Sequence, residues 1–152
     1  AEFPFTGDRV ALLPALVLDV GLIHVNRVDK YGNCQIDGIS GFAAEMARAS
    51  KRLIISAEEI VDTDVIRAAP DRTIIPYYLV DAVVHAPYGS HPGEMTGRYE
   101  RDEPEYKDFI AAAKTVEETD AFLKRTIHDV ETHEAYLELF GADHLSALHV
   151  GR

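Results

Sequence analysis

"LDVGLIHVNRV", residues 18–28, decides the fold. Val20, Leu22, Ile23 and Val25 come too densely for the alternation of a half-exposed strand, and the run reads as a parallel strand covered on both faces. The turn sequence "DKYGN", 29–33, stops it. Next, Ser40 is expected to N-cap a helix in "GFAAEMARAS", with Phe42, Ala43, Met46 and Ala47 on one face. A second strand is expected at 51–56, opening "KRLIISAEEIV" and running into an acidic turn. Pro76 excludes a continuous strand through "DRTIIPYY". A third is expected over "LVDAVVHAP", 79–87. This alternation argues for βαβ units, so the fold class is α/β with an open, mostly parallel sheet.

From residue 102 the period becomes helical. "DEPEYKDFIAAAK" places Tyr106, Phe109, Ile110 and Ala113 on one stripe, with Pro104 in the first turn, where its missing N–H costs nothing. Thr115 and Glu118 have capping-box spacing, and Gly141 is a natural residue to end the helix of "THEAYLELFG". The chain therefore reads as one domain: a connector at 1–14, an α/β core at 15–101 and a helical cover on the sheet at 102–152.

Bulk properties narrow the function. A chain of 152 residues buries about 68–70% of its unfolded surface, enough for one core without covalent staples. Cys34 is the lone cysteine, ordinary for a reducing compartment, so a cytoplasmic location is expected. A net charge of −11 without a lysine–arginine cluster argues against nucleic acid, and no apolar run has the length of a membrane span. The chain does not begin with Met, which suggests processing or a piece of something longer.

Candidate chemistry gathers where strands end, because open parallel sheets bind ligands outside the carboxyl ends of their strands. "YGSHPGE", 88–94, follows the third strand: Tyr88, Ser90, His91 and Glu94 carry donors and acceptors, and Gly89 and Gly93 admit a close backbone approach. The alternative is a rigid turn set by Pro87 and Pro92. Glu58 and Glu59 follow the second strand, either as base, nucleophile or substrate acceptor, or as residues opening a helix and facing its dipole. Asn33 ends the first strand, as a turn residue or a ligand contact. The spacings of His85, His91 and Glu94, and of His128 and His133, match no metal motif, so no metal is expected. There is no dinucleotide fingerprint, P-loop or nucleophile elbow, and Cys34 reads as a buried, inert thiol.

Four strings in order, "DVGLIHVNRVDKYGN", "SAEEIVDTDVIR", "LVDAVVHAPYGSHPGEMTGRYERD" and "THEAYLELFG", resemble the C-terminal half of the alpha (A) subunit of family I coenzyme A transferases, of the glutaconate CoA-transferase type. The resemblance spans residues 4–148. It implies a partner beta (B) subunit, with transfer of coenzyme A between an acyl-CoA thioester and a free carboxylic acid. It further implies a nucleophilic glutamate on the partner, which forms a glutamyl-CoA intermediate, so no catalytic residue is assigned to this chain. CoA thioester is then a substrate, and no tightly bound cofactor is expected. Tyr88, Gly89, Ser90, His91, Glu94, Glu58, Glu59 and Asn33 become substrate-side or interface candidates, and the CoA phosphates either meet local basic groups such as Arg98 or Arg101 or lie on the missing half. The family's N-terminal half, with its glycine-rich segment, has no counterpart here, so the chain alone is not expected to turn over. A non-catalytic assembly scaffold is the alternative from another class. A CoA-thioester hydrolase is the third, although its relatives' loop resembles "GGAH" rather than "YGSHPGE".

Overall fold

The computed structural model describes residues 1–151. Five strands form one open mixed sheet in the order β4-β2-β1-β3-β5: β1 (Gly21–Asp29), β2 (Cys34–Gln35), β3 (Leu53–Val61), β4 (Thr73–Ile75) and β5 (Ala82–His85). β1, β3 and β5 are mutually parallel, whereas β2 and β4 add antiparallel at one edge. "DKYGN" turns the chain back within four residues. Asp29 accepts the backbone N–H groups of Tyr31 and Asn33 at 2.9 Å each, and Gly32 adopts φ 101°, which glycine tolerates without strain. That tight reversal makes the neighbouring strand antiparallel.

The core lies on one face of the sheet, where Ile23, Val25, Leu53, Ile55 and Ala57 pack beneath α1 (Ala43–Ala49) through Ala47. Two readings of this region change. Ser40 contributes its backbone carbonyl to Ala43 N–H rather than a side-chain cap, and Phe42 stands at the N-cap, 79% exposed. The first strand is covered on both faces only toward its C-terminal end, since Leu22 is 69% exposed while Asn26 is fully buried.

The second strand runs on to Val61, and α2 (Thr63–Arg67) begins only after it. Glu58 and Glu59 are therefore strand residues, and neither opens a helix. The third strand is shorter than expected, Ala82–His85.

The C-terminal third is helical: α3 (Glu103–Ala112), α4 (Val116–Leu123) continued by a π turn over Lys124–His128, α5 (His133–Glu138) and α6 (Ala142–Ala147). Glu103 and Pro104 open α3, and Thr115 caps α4 by accepting Glu118 N–H, as the sequence pattern requires. Gly141, at φ 78°, ends α5 through a hydrogen bond to the Leu137 carbonyl and starts α6. These helices hydrogen-bond to the 86–102 segment that follows β5, through His133 to the Pro87 carbonyl and Tyr136 to His91. None of the described helices is long and apolar enough to cross a membrane.

Candidate functional site

Glu58 lies near the end of β3, with its side chain on the face that His24 shares from β1. Its carboxylate is an acceptor hub, 8% exposed. Oε1 takes a hydrogen bond from the Tyr99 hydroxyl at 2.6 Å and from His24 Nε2 at 2.8 Å, and Oε2 takes the backbone N–H of Tyr88 at 2.9 Å. Because an ionised carboxylate only accepts, the His24 proton sits on Nε2, and Nδ1 meets the Ser56 hydroxyl at 2.8 Å. Burial pushes the Glu58 carboxyl up, and the bonds from His24, Tyr99 and Tyr88 outweigh it, so the group stays below the ordinary carboxylate range. For Tyr99, burial and the Glu58 charge raise the phenol well above its usual value, keeping it a donor.

This hub organises the loop. Ser90 N–H donates to the Tyr99 oxygen at 3.1 Å, which extends the chain of bonds from the loop through Tyr99 to Glu58. Tyr88 holds φ 60°, a left-handed conformation uncommon for a bulky residue, with its hydroxyl on His149 Nε2 at 2.5 Å. Gly89 is required sterically: a Cβ there would lie 2.4 Å from His24 Cε1 and 2.9 Å from the Ala86 carbonyl. Next to the hub, Glu59 pairs with Arg98 at 2.6 Å, and that bond is the chief cause of its lowered carboxyl pKa. Arg98 is thus engaged by a carboxylate within this chain.

A second cluster forms further along the same loop. His91 is buried, with Nε2 3.0 Å from Asp102 Oδ2 and Nδ1 2.8 Å from the Tyr136 hydroxyl. His144 of α6 reaches the same Asp102 oxygen, while Oδ1 caps α3 by accepting Glu105 N–H. Desolvation raises the Asp102 carboxyl, and bonds from His144, His91 and Glu105 bring it below the normal value.

The sequence candidates therefore divide. Glu58, Glu59, Tyr88, Gly89 and Ser90 share one neighbourhood, and His91 belongs to the adjoining cluster. Glu94 is exposed, and its neighbour Gly93 donates its N–H to the Ser90 carbonyl at 2.7 Å. Asn33 stands apart, bonded to Asp29 and to Tyr77 N–H, at a cleft of about 460 Å³ also lined by Tyr31, Thr63 and Arg67. Reading the strands missed His24, Ser56 and Tyr99. His24 between the apolar Ile23 and Val25 was the available signal, but its partner depended on the β1–β3 register. Asp102, which caps α3 by accepting Glu105 N–H, was also missed, and its histidine partners lie too far away in sequence to signal it.

Comparison with known proteins adds to this geometry. The family model described as "Coenzyme A transferase" matches residues 4–86. The chain is 38% identical over 144 residues to the A subunit of the glutaconate CoA-transferase of Acidaminococcus fermentans, covering 95% of this chain and 45% of that protein. It is 38% identical over 124 residues to the A subunit of the 3-oxoadipate CoA-transferase of Pseudomonas knackmussii, covering 82% and 43%. The crystal structure of the Acidaminococcus fermentans glutaconate coenzyme A-transferase superposes with a TM-score of 0.93 at 37% identity, covering 99% of this chain and 48% of that one. The chain thus spans less than half the length of these relatives. With more than half its residues in the family match, and its sheet, strand-end loop and helices shared with that solved structure, this chain belongs to the coenzyme A transferase family.

Proposed function

We propose that this chain serves as the alpha-subunit portion of a two-subunit CoA-transferase, partnered by a beta subunit, moving coenzyme A from an acyl-CoA thioester to a free carboxylic acid. The observation that carries this reading is the state of the strand-end carboxylates. Glu58 is buried and held by three donors, and Glu59 is paired through Oε1 with Arg98, so both carboxylates are engaged in organising this chain's strand-end loop. By resemblance to the glutaconate type, the nucleophile belongs to the partner, where a glutamate attacks the thioester carbonyl and expels CoA thiolate. The thiolate attacks the glutamyl carbonyl of the resulting anhydride, releases the original acid and leaves glutamyl-CoA. This chain's part is to hold the 86–101 loop rigid at the shared face, with Tyr88, Gly89, Ser90 and the exposed Glu94 presented from it. A cytoplasmic location fits the single buried thiol of Cys34.

The test mixes the chain and its beta subunit with an acyl-CoA but no acceptor, then maps the CoA adduct by peptide mass spectrometry. An adduct on a partner glutamate, with turnover only after acceptor acid is added, is the expected result. An adduct on Glu58, Glu59 or Glu94 overturns the assignment. Thioester loss without acceptor replaces the transferase by a hydrolase, and assembly without either reaction leaves the scaffold reading.

A further inference from the structure

Asp102, His91 and His144 come from three separate segments: the start of α3, the loop after β5, and α6. Their nearest ligand atoms all lie within 4.8 Å of one another. His91 Nε2, 3.0 Å away, and His144 Nε2 converge on the same oxygen of the buried Asp102, Oδ2. The other His91 nitrogen, Nδ1, meets the Tyr136 hydroxyl at 2.8 Å, which fixes the ring's orientation toward Asp102. Two imidazole nitrogens and a carboxylate oxygen from three segments thus face one small volume.

We infer that His91, Asp102 and His144 form a binding site for a divalent transition cation of the zinc class. Two imidazoles and a carboxylate suit such an ion, and three protein ligands leave one position open. His144, 42% exposed at its side chain, supplies the entry side, while His91 and Asp102 form the buried wall. Tyr136 behind His91 and the Glu105 N–H behind Asp102 are outer partners of the kind that orient metal ligands. Metal–ligand bonds of about 2.0–2.2 Å in a tetrahedral set place neighbouring ligand atoms about 3.3–3.6 Å apart, so the half-exposed His144, hydrogen-bonded to Asp102 Oδ2, draws back slightly from that oxygen to admit the ion. The ion would clamp the loop to α3 and α6. Sequence spacing concealed this set, because the ligands are 11 and 42 residues apart.

The untagged full chain, stripped with chelator, is titrated with Co²⁺ and then Zn²⁺ by visible absorption and calorimetry. The expected result is one Co²⁺ per chain with a ligand-field band, displaced by one Zn²⁺. His144→Ala abolishes the band and weakens binding at least tenfold, and Tyr136→Phe weakens it about 10–100-fold. His144→Ala is expected to keep the circular dichroism of the chelated wild type, since its side chain is partly exposed. Absence of stoichiometric binding by the stripped wild-type chain overturns the proposal and leaves a hydrogen-bonded histidine–aspartate cluster. Binding unchanged in His144→Ala overturns it as well. The wild-type titration decides even if a variant fails to fold.

Discussion

The Glu58 carboxylate accepts the backbone N–H of Tyr88 at 2.9 Å across 30 residues of sequence, pinning the strand-end loop at the one described non-glycine residue with positive φ. A left-handed conformation at a non-glycine residue costs on the order of 1–3 kcal/mol and persists only where the surroundings over-determine it. Here those surroundings are Glu58, the Tyr99 ring at 5.0 Å and His149.

Replacing Glu58 tests that anchor. Glu58→Ala leaves the Tyr99 hydroxyl, His24 Nε2–H and Tyr88 N–H without their acceptor, and each stranded buried donor costs about 1–3 kcal/mol. Urea unfolding of Glu58→Ala is expected to show a loss of at least about 3 kcal/mol, set by those same penalties. Glu58→Gln keeps one acceptor oxygen and should lose less. Equal midpoints for Glu58→Ala and wild type would mean that the hub does not anchor the loop.

Acid should weaken the fold in a defined direction. The Glu58, Asp29 and Asp102 carboxyls are all held below their ordinary values of 4.5, 3.8 and 3.8. Below those values the unfolded chain binds more protons than the native one, so stability is complete above about pH 5 and falls as the pH drops through the native pKa values. Urea midpoints measured from pH 7 to pH 3 check this. Glu58→Gln, which removes one of the three groups, should show a shallower acid slope.

Gly89 owes its identity to His24. In Gly89→Ala the new Cβ meets the His24 ring and the Ala86 carbonyl, an overpacking expected to cost about 1–3 kcal/mol. The ring can be removed and the carbonyl cannot, so Gly89→Ala combined with His24→Ala should lose less stability than the two single changes added together. A strictly additive cycle would mean the ring is not the obstacle.

Cys34 should behave as an inert thiol. It is fully buried and directs its sulfur to the Gly32 carbonyl, and burial, helped by the Asp29 charge, pushes the thiol up to about 12. An aromatic disulfide reagent at pH 8 should label it only as fast as the protein unfolds. Rapid labelling of the native protein would contradict the burial.

How far the sequence reached varies by element. The dense apolar run of β1, the turn at Gly32 and the capping box of Thr115 and Glu118 were legible because each is decided by residues within a few positions of one another. The extent of β3 was not. Glu58 and Glu59 look like the start of a helix until β1 pairs with them in register, Arg27 with Glu59, and a buried acceptor hub has no local signature. The antiparallel edge of β2 and β4 is likewise too short to announce itself in two or three residues.

By itself, then, the sequence determined an α/β domain with a polar loop after its last parallel strand, and a family resemblance carried by strings in fixed order. Only the tertiary structure decided what those polar residues do. Hydrogen bonding and ion pairing act through space at about 3 Å, and the partners that define this site, His24 with Glu58, Tyr99 with Ser90, and His91 with Asp102 and His144, meet only after the sheet register and the helix packing are in place.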